Sequence, residues 1–398
     1  MTLKNVFIMF DIKSTYIILK LLLFAVFFIF GDILSKTKTR KSYWMTALIP
    51  IITFAVVEGL RFGRLIDYNL YYFNYVDIGH GTATFYELLF YFICHSLYNL
   101  GIPYYIFIFL QCLFLISATF LLFENFKINI RFALPIVLGL YIMNENYIRW
   151  YLGFSFILLS LNSIIKDKKV GTWVYAICGV LTHFGFLFYL AILLGKEILN
   201  RFTIKPVISI FMVLFSTFLM SVTDMNILVQ ISNILLKLGI GSLSEGLNVR
   251  LTEMGSLIAG NVGSFGIMET SLASNIRNML VCLPGIYWGY FYMRRFEKGI
   301  FIYNLFVIGA ILSPIFGQVE MLVRISDSMY MLSCIVLSVV FTERLNLKSL
   351  KKSLVIYVIC LFSFFASCWP SISIAFSYDN DKDMMFIWDA NGRNYLPY

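Results

Sequence analysis

Twelve apolar segments separated by short charged connections make up most of this chain, and no soluble core could absorb them. They run at about 16–34, 43–60, 84–99, 103–123, 131–146, 148–165, 170–197, 206–222, 277–293, 299–316, 325–341 and 353–370. At 1.5 Å per residue, most are long enough to cross ~30 Å of hydrocarbon as a helix. Inside a bilayer the backbone must satisfy its own hydrogen bonds, which leaves helices as the spanning element for runs of this length. Charge is scarce in proportion: 13% of residues are Asp, Glu, Lys or Arg, against roughly 25% in soluble domains. The expected fold is an all-α polytopic integral membrane protein with roughly 11–13 transmembrane or half-span helices. One transmembrane domain covers 1–398, without a soluble domain, repeat or low-complexity linker. The stretch from Tyr16 to Phe30 lacks a small-residue cleavage site, so it reads as a span and not as a cleavable leader.

The basic connections set orientation. "SKTKTRK" (35–41), "KDKK" (166–169), "KEILNRFTIK" (196–205), "RRFEK" (294–298) and "ERLNLKSLKK" (343–352) are expected on the cytoplasmic side. Their excess of Lys and Arg more than accounts for the net charge of +9, which therefore marks topology and not nucleic-acid binding. With these inside, 61–84 forms a first outer loop, 223–276 a long outer loop and 371–398 an outer tail. Segment 170–197 has basic sequence at both ends, so it is expected as two half-length helices bent at "THFG". Segment 84–99 cannot be an ordinary span without breaking the count. Glu87 and His95 within it suit a helix lying in, or dipping from, the outer interface.

This topology collects ionisable residues on the outer face. Arg61, Arg64 and Asp67 come from the first loop, Glu145 and Arg149 from the second apex, and His183 from the third. Arg250, Glu253 and Glu269 lie in the long loop, and Arg277, Glu320, Arg324 and Asp327 open later spans. A single interfacial arginine is ordinarily an anchor. Six on the face that should be poor in them point to an outer cavity for an anionic, lipid-linked phosphate, because the guanidinium is a permanent multi-donor partner for phosphate oxygens. Tyr68, Tyr71, Tyr72, Phe73 and Tyr75 crowd the first loop. They read either as an interfacial belt or as a sugar-binding wall. In the long loop, "DMNILVQISNILLKLGIG" reads as an amphipathic helix, and the glycine-rich half after it as a loop able to cover a cavity.

Other chemistry finds no footing. The seven cysteines lie in apolar segments without metal-ligand spacing, and His80, His95 and His183 are far apart. No HExxH, Walker, GxGxxG or GxSxG pattern is present. No metal or cofactor is expected.

In order along the chain stand "RFGRLIDYNLYYF", "NENYIRWYLGFSFILLSL", "LTHFGFLFYLAIL", a long loop, "VEMLVRISDSMYML" and a terminal "YLPY". This order resembles the EpsG/Wzy-like family of bacterial exopolysaccharide and O-antigen polymerases over roughly residues 20–398. One departure is visible: Leu65 and Ile66 stand where family members often carry a small pair before the aspartate. The resemblance implies a GT-C-like membrane glycosyltransferase that moves a growing glycan from its undecaprenyl-pyrophosphate carrier onto a new lipid-linked repeat unit, outside the inner membrane. It carries Arg61, Asp67 and Tyr68 onto the first-loop motif, Arg149 and His183 onto the middle ones, and Arg324 with Tyr330 onto the last. The implied roles are Arg149 and Arg324 as pyrophosphate clamp, assisted by Arg277, Arg250 or Arg61. Asp67 is first and His183 second as base, and Tyr68, Tyr71, Tyr72 and Tyr330 contact sugar. A flippase and a chain-length regulator are the implied protein partners. Competing readings are a lipid-linked oligosaccharide flippase, an O-acyltransferase and an O-antigen-ligase-like enzyme. Charge on one face, the absence of a visible repeat and sparse inner loops weigh against the first two.

Overall fold

A computed structural model describes residues 11–64, 67–83, 86–222, 272–316, 320–378 and 380–390. Apart from one isolated β-bridge between Arg61 and Phe386, the described residues are helices and their connections. Seven helical stretches are long and apolar enough to cross a membrane, and three shorter apolar helices accompany them. The chain is a multi-pass, all-α membrane protein. The long loop's expected amphipathic helix and cover, with Arg250, Glu253 and Glu269, lie outside the described residues.

Helices α1 (Ile12–Ser35) and α2 (Arg40–Gly59) open the bundle. Each starts at a side-chain cap: Asp11 accepts from the Ser14 amide at 2.6 Å, and Thr39 from the Ser42 amide at 3.1 Å. The first outer loop is not irregular: α3 (Asp67–His80) occupies most of it. Tyr68, Tyr71, Tyr72 and Tyr75 recur at three- and four-residue spacing, the helical period, so the tyrosine run is a helix face. A short α4 (Leu88–Asn99) follows, and α5 (Tyr104–Phe123) leads back across. Tyr104 donates to the Tyr68 carbonyl at 3.3 Å and Tyr75 to that of Ile102 at 2.7 Å. The α3–α4 pair is thus a hairpin that leaves and rejoins the bundle at one end. Twelve residues in α4 span only ~18 Å, too little to cross.

Beyond a 3-10 turn at Glu124–Asn129, α6 (Ile130–Leu140) returns antiparallel to α5. Then come α7 (Ile148–Ile165) and α8 (Lys169–Thr182). The expected bend at "THFG" is present: α8 stops at His183, a short 3-10 turn follows, and α9 (Leu187–Leu194) continues. After α10 (Lys196–Arg201) and α11 (Pro206–Val222), the chain resumes with α12 (Leu272–Tyr292) and α13 (Gly299–Phe316). The span expected at 325–341 falls within one candidate span, Leu322–Arg344, built from two helices, α14 (Glu320–Tyr330) and α15 (Ser333–Arg344), joined by a two-residue turn. Within α14, Ser326 and Ser328 turn their hydroxyls onto the Val323 and Ile325 carbonyls at 2.9 and 2.8 Å, which satisfies them inside the bundle. Last come α16 (Leu347–Lys352) and α17 (Leu354–Ser373).

Contacts sort the connections onto two ends. At one, Arg40 pairs with Glu124 at 2.9 Å, Lys298 with Asp167 at 3.1 Å and Arg295 with Glu343 at 2.8 Å. Lys127 also donates to the Thr37 carbonyl there. These are the lysine- and arginine-rich connections. At the other end lie the α2–α3 link, the α3–α4 hairpin, the 141–147 turn, the His183 bend and the C-terminal segment. That last segment folds back: Phe62 N–H donates to Met385 O, and Ile387 N–H to Leu60 O, both at 3.0 Å.

Candidate functional site

At the non-basic end, α7 begins with Arg149 in its first turn. Its Nη1 donates to Glu87 Oε2 at 2.7 Å. The other oxygen, Glu87 Oε1, accepts from the Phe184 amide at 3.2 Å. One carboxylate from the α3–α4 hairpin therefore ties α7 to the bend after α8. The Arg149 guanidinium also lies over the Tyr86 and Phe90 rings, 5.7 and 5.9 Å from their centroids. The Arg149 and Glu87 side chains retain 25% and 20% of their surface, so the pair is reachable.

Tyr71 is the hub of a wider group. The charges that bear on its phenol are those of Arg149, Arg324, Asp67 and Glu87. Burial pushes the phenol above its ordinary range, with the two guanidiniums opposing, so Tyr71 stays a hydrogen-bond donor at neutral pH. Arg324 comes from α14 and stands over the Tyr147 ring at 4.2 Å, a cation–π contact that fixes its position. Asp67 opens α3, where the helix dipole favours a carboxylate. Its amide faces Asn146 Oδ1 at 3.4 Å.

His183, only 8% exposed, completes the group. Burial drives its pKa well below the ordinary range, and Arg149 and Arg324 add to the effect. The imidazole is neutral. Its Nδ1 accepts from the Gly185 amide at 3.1 Å, which leaves the ring proton on Nε2. In that tautomer His183 is a donor. Its place beside Arg149 follows from close packing one turn down, where Gly153 of α7 faces Gly179 of α8.

The structure thus joins Arg149, Arg324, His183, Tyr71 and Asp67 of the sequence-derived residues. Arg61 is placed differently. It is fully buried and donates to the Glu58 and Asn144 carbonyls at 2.5 and 3.1 Å. It belongs to a buried network in which Lys20 contacts Glu58 at 2.8 Å and Glu145 at 3.0 Å, and Arg64 contacts Glu145 at 2.8 Å. Those charges brace the first loop from beneath. Tyr68 is likewise packing, 1% exposed between Phe62 and Tyr104, whereas Tyr72 on the next stripe is half-buried. Tyr330 accepts from Cys282 Sγ at 3.2 Å and feels Asp327 and Arg277, the latter exposed on α12. Asp327 also faces Arg324, so this second pair adjoins the main group. Glu87 is a site member that sequence reading places only in an interfacial helix. Its one signal is a carboxylate at the start of a short apolar segment.

The motif order quoted above now has a geometry behind it, since residues from four separate motifs meet at one end of the bundle. The chain matches the EpsG family over residues 43–380. It belongs to the EpsG family. Neither a curated protein nor a solved structure matches it. Membership supports, in general terms, a polysaccharide-polymerase type of role for this EpsG-family protein.

Proposed function

We propose that this EpsG-family protein polymerises undecaprenyl-pyrophosphate-linked oligosaccharide repeat units at the outer face of the inner membrane. The observation that supports this is that Arg149, bonded to the Glu87 that also holds the His183 bend, and Arg324, seated over Tyr147, come from distant helices to one end of the bundle, where both charges act on Tyr71 and His183. Two permanent cations next to a phenol and a neutral imidazole suit a pyrophosphate leaving group, whose charge grows as its bond to sugar breaks. An acceptor hydroxyl on the incoming repeat unit attacks the anomeric carbon of the growing glycan. The bond from that carbon to the pyrophosphate oxygen breaks, and the electron pair leaves with the lipid pyrophosphate. Asp67 takes the hydroxyl proton as general base. Arg149 and Arg324 neutralise the leaving group, and His183 in its Nε2–H form donates to it. Tyr71 and Tyr72 offer aromatic edges to a sugar ring.

The outward orientation rests on the lysine- and arginine-rich connections gathered at the opposite end, which the positive-inside rule assigns to the cytoplasm. A flippase that delivers repeat units and a regulator of chain length are the partners this reading calls for.

The test is genetic and biochemical. Arg149→Ala and Arg324→Ala are expected to abolish long-chain polymer while single repeat units accumulate on the lipid carrier. Normal chain lengths in both variants would rule out the clamp. Loss of the lipid-linked units themselves from the outer leaflet would favour a flippase. Cysteine labelling at positions 67, 183 and 324 from outside the cell tests the shared face.

A further inference from the structure

Glu87, read from sequence as part of an interfacial helix, has contacts that give it a narrower task. Its two oxygens are held separately, Oε2 by Arg149 Nη1 at 2.7 Å and Oε1 by the Phe184 amide at 3.2 Å. A guanidinium together with a backbone amide at a helix bend is a donor set that suits an edge of a phosphate group. Both donors come from the bundle, on α7 and the bend after α8, while the carboxylate comes from the α3–α4 hairpin. Glu87 also holds the N-cap position of α4, yet its side chain makes no cap hydrogen bond to that helix. The carboxylate is directed across to the opposite wall instead.

Around Tyr71 stand Arg149 and Arg324 on one side of the ledger and Glu87 and Asp67 on the other. Withdrawal of either carboxylate therefore raises the positive charge that these arginines offer to an incoming diphosphate. Glu87 bonds directly to Arg149 and is partly solvent-exposed, so water can take its place at the guanidinium when it withdraws.

We propose that Glu87 is an internal stand-in for a substrate phosphate. In the ligand-free protein it fills the anion seat formed by Arg149 and the Phe184 amide, and a phosphate-bearing ligand exchanges with it. The proposal deepens, and rests on, the phosphate reading of this site given above. The exchange is noncovalent. It also makes the seat selective: a ligand must outcompete a singly charged carboxylate, which favours a diphosphate over a neutral sugar.

Inorganic pyrophosphate is the probe, titrated calorimetrically into the purified full-length protein in detergent. Glu87→Gln is expected to bind it roughly tenfold more tightly than wild type, and Arg149→Ala to lose binding. Glu87→Asp, whose shorter side chain reaches only one of the two donors, is expected to bind about threefold more tightly. It serves alone if Glu87→Gln fails to fold. Unchanged or weaker binding in the Glu87 variants, with wild-type binding intact, overturns the stand-in role and leaves the phosphate reading standing. Absence of pyrophosphate binding in wild type and variants alike overturns both.

Discussion

Gly153 and Gly179 meet backbone to backbone: a Cβ on Gly179 would stand 3.3 Å from the Gly153 carbonyl oxygen and 2.7 Å from Ile157 Cδ1. Small residues let membrane helices approach this closely. One turn before Gly153 on α7 sits Arg149, and one turn after Gly179 sits His183, whose amide donates to Gly179 O at 2.9 Å. The glycine pair therefore sets the spacing between two residues of the site. Gly179→Val is expected to force α7 and α8 apart, at about 1–3 kcal/mol for overpacking, and to shorten the polymer. Thermal unfolding in detergent and polymer length by gel check it. A variant that melts and polymerises like wild type would show that the contact does not position the site.

The buried network makes a second prediction. Glu145 is fully buried and lies within 3.0 Å of Lys20 and 2.8 Å of Arg64. Lys20, Arg64 and Arg61 hold its carboxyl well below the usual carboxylate range despite its burial. Glu145→Leu strands those cations, and breaking such a pair costs about 3–5 kcal/mol. Adding Arg64→Met is expected to recover part of the loss, a coupling measurable in a double-mutant cycle. Additive losses would mean that the two residues act independently.

His183 predicts a pH dependence. Its folded pKa lies below its ordinary value, so below about pH 6.5 the unfolded chain binds a proton that the folded one refuses. Stability therefore falls as pH drops from 6.5, by at most about 1.4 kcal/mol per pH unit from this group. Above that window the group contributes no slope. His183→Asn keeps an acceptor for the Gly185 amide and is expected to flatten the slope. Melting temperatures at pH 7.5 and 5.5 for the two proteins decide the matter, and equal slopes would exclude His183 as the source.

Phe386 seals the first loop from above. It is fully buried, stacks on Trp388 at 4.6 Å and carries the Arg64 guanidinium 4.1 Å over its ring. Phe386→Ala is expected to destabilise by about 3–5 kcal/mol and to release the C-terminal segment to protease. Unaltered cleavage of that segment would show that other contacts hold it.

Much of the fold was legible in the apolar pattern. Length and hydrophobicity imply the spans, and basic connections at both ends of 170–197 imply the bend at His183. The parity of basic loops implies that 84–99 does not cross. These are local or additive properties, because each segment meets the lipid largely by itself. The helix in the first loop was also legible, in the spacing of Tyr68, Tyr71, Tyr72 and Tyr75, but a run of interfacial tyrosines hides a period behind a composition. The turn at 331–332 between α14 and α15 has no Gly or Pro to mark it in the sequence.

Among the arginines the division is sharpest. The sequence by itself assigned six arginines to the non-basic face, Arg250 outside the described residues among them, since charge and hydropathy are counted residue by residue. Only the tertiary structure decided that Arg61 and Arg64 are sealed among carbonyls, carboxylates and rings, while Arg149 and Arg324 meet Tyr71 and His183 at a partly open site. A guanidinium's partners are set by which helices pack together. Packing here turns on contacts far apart in the chain, such as Gly153 with Gly179 and Glu87 with Phe184.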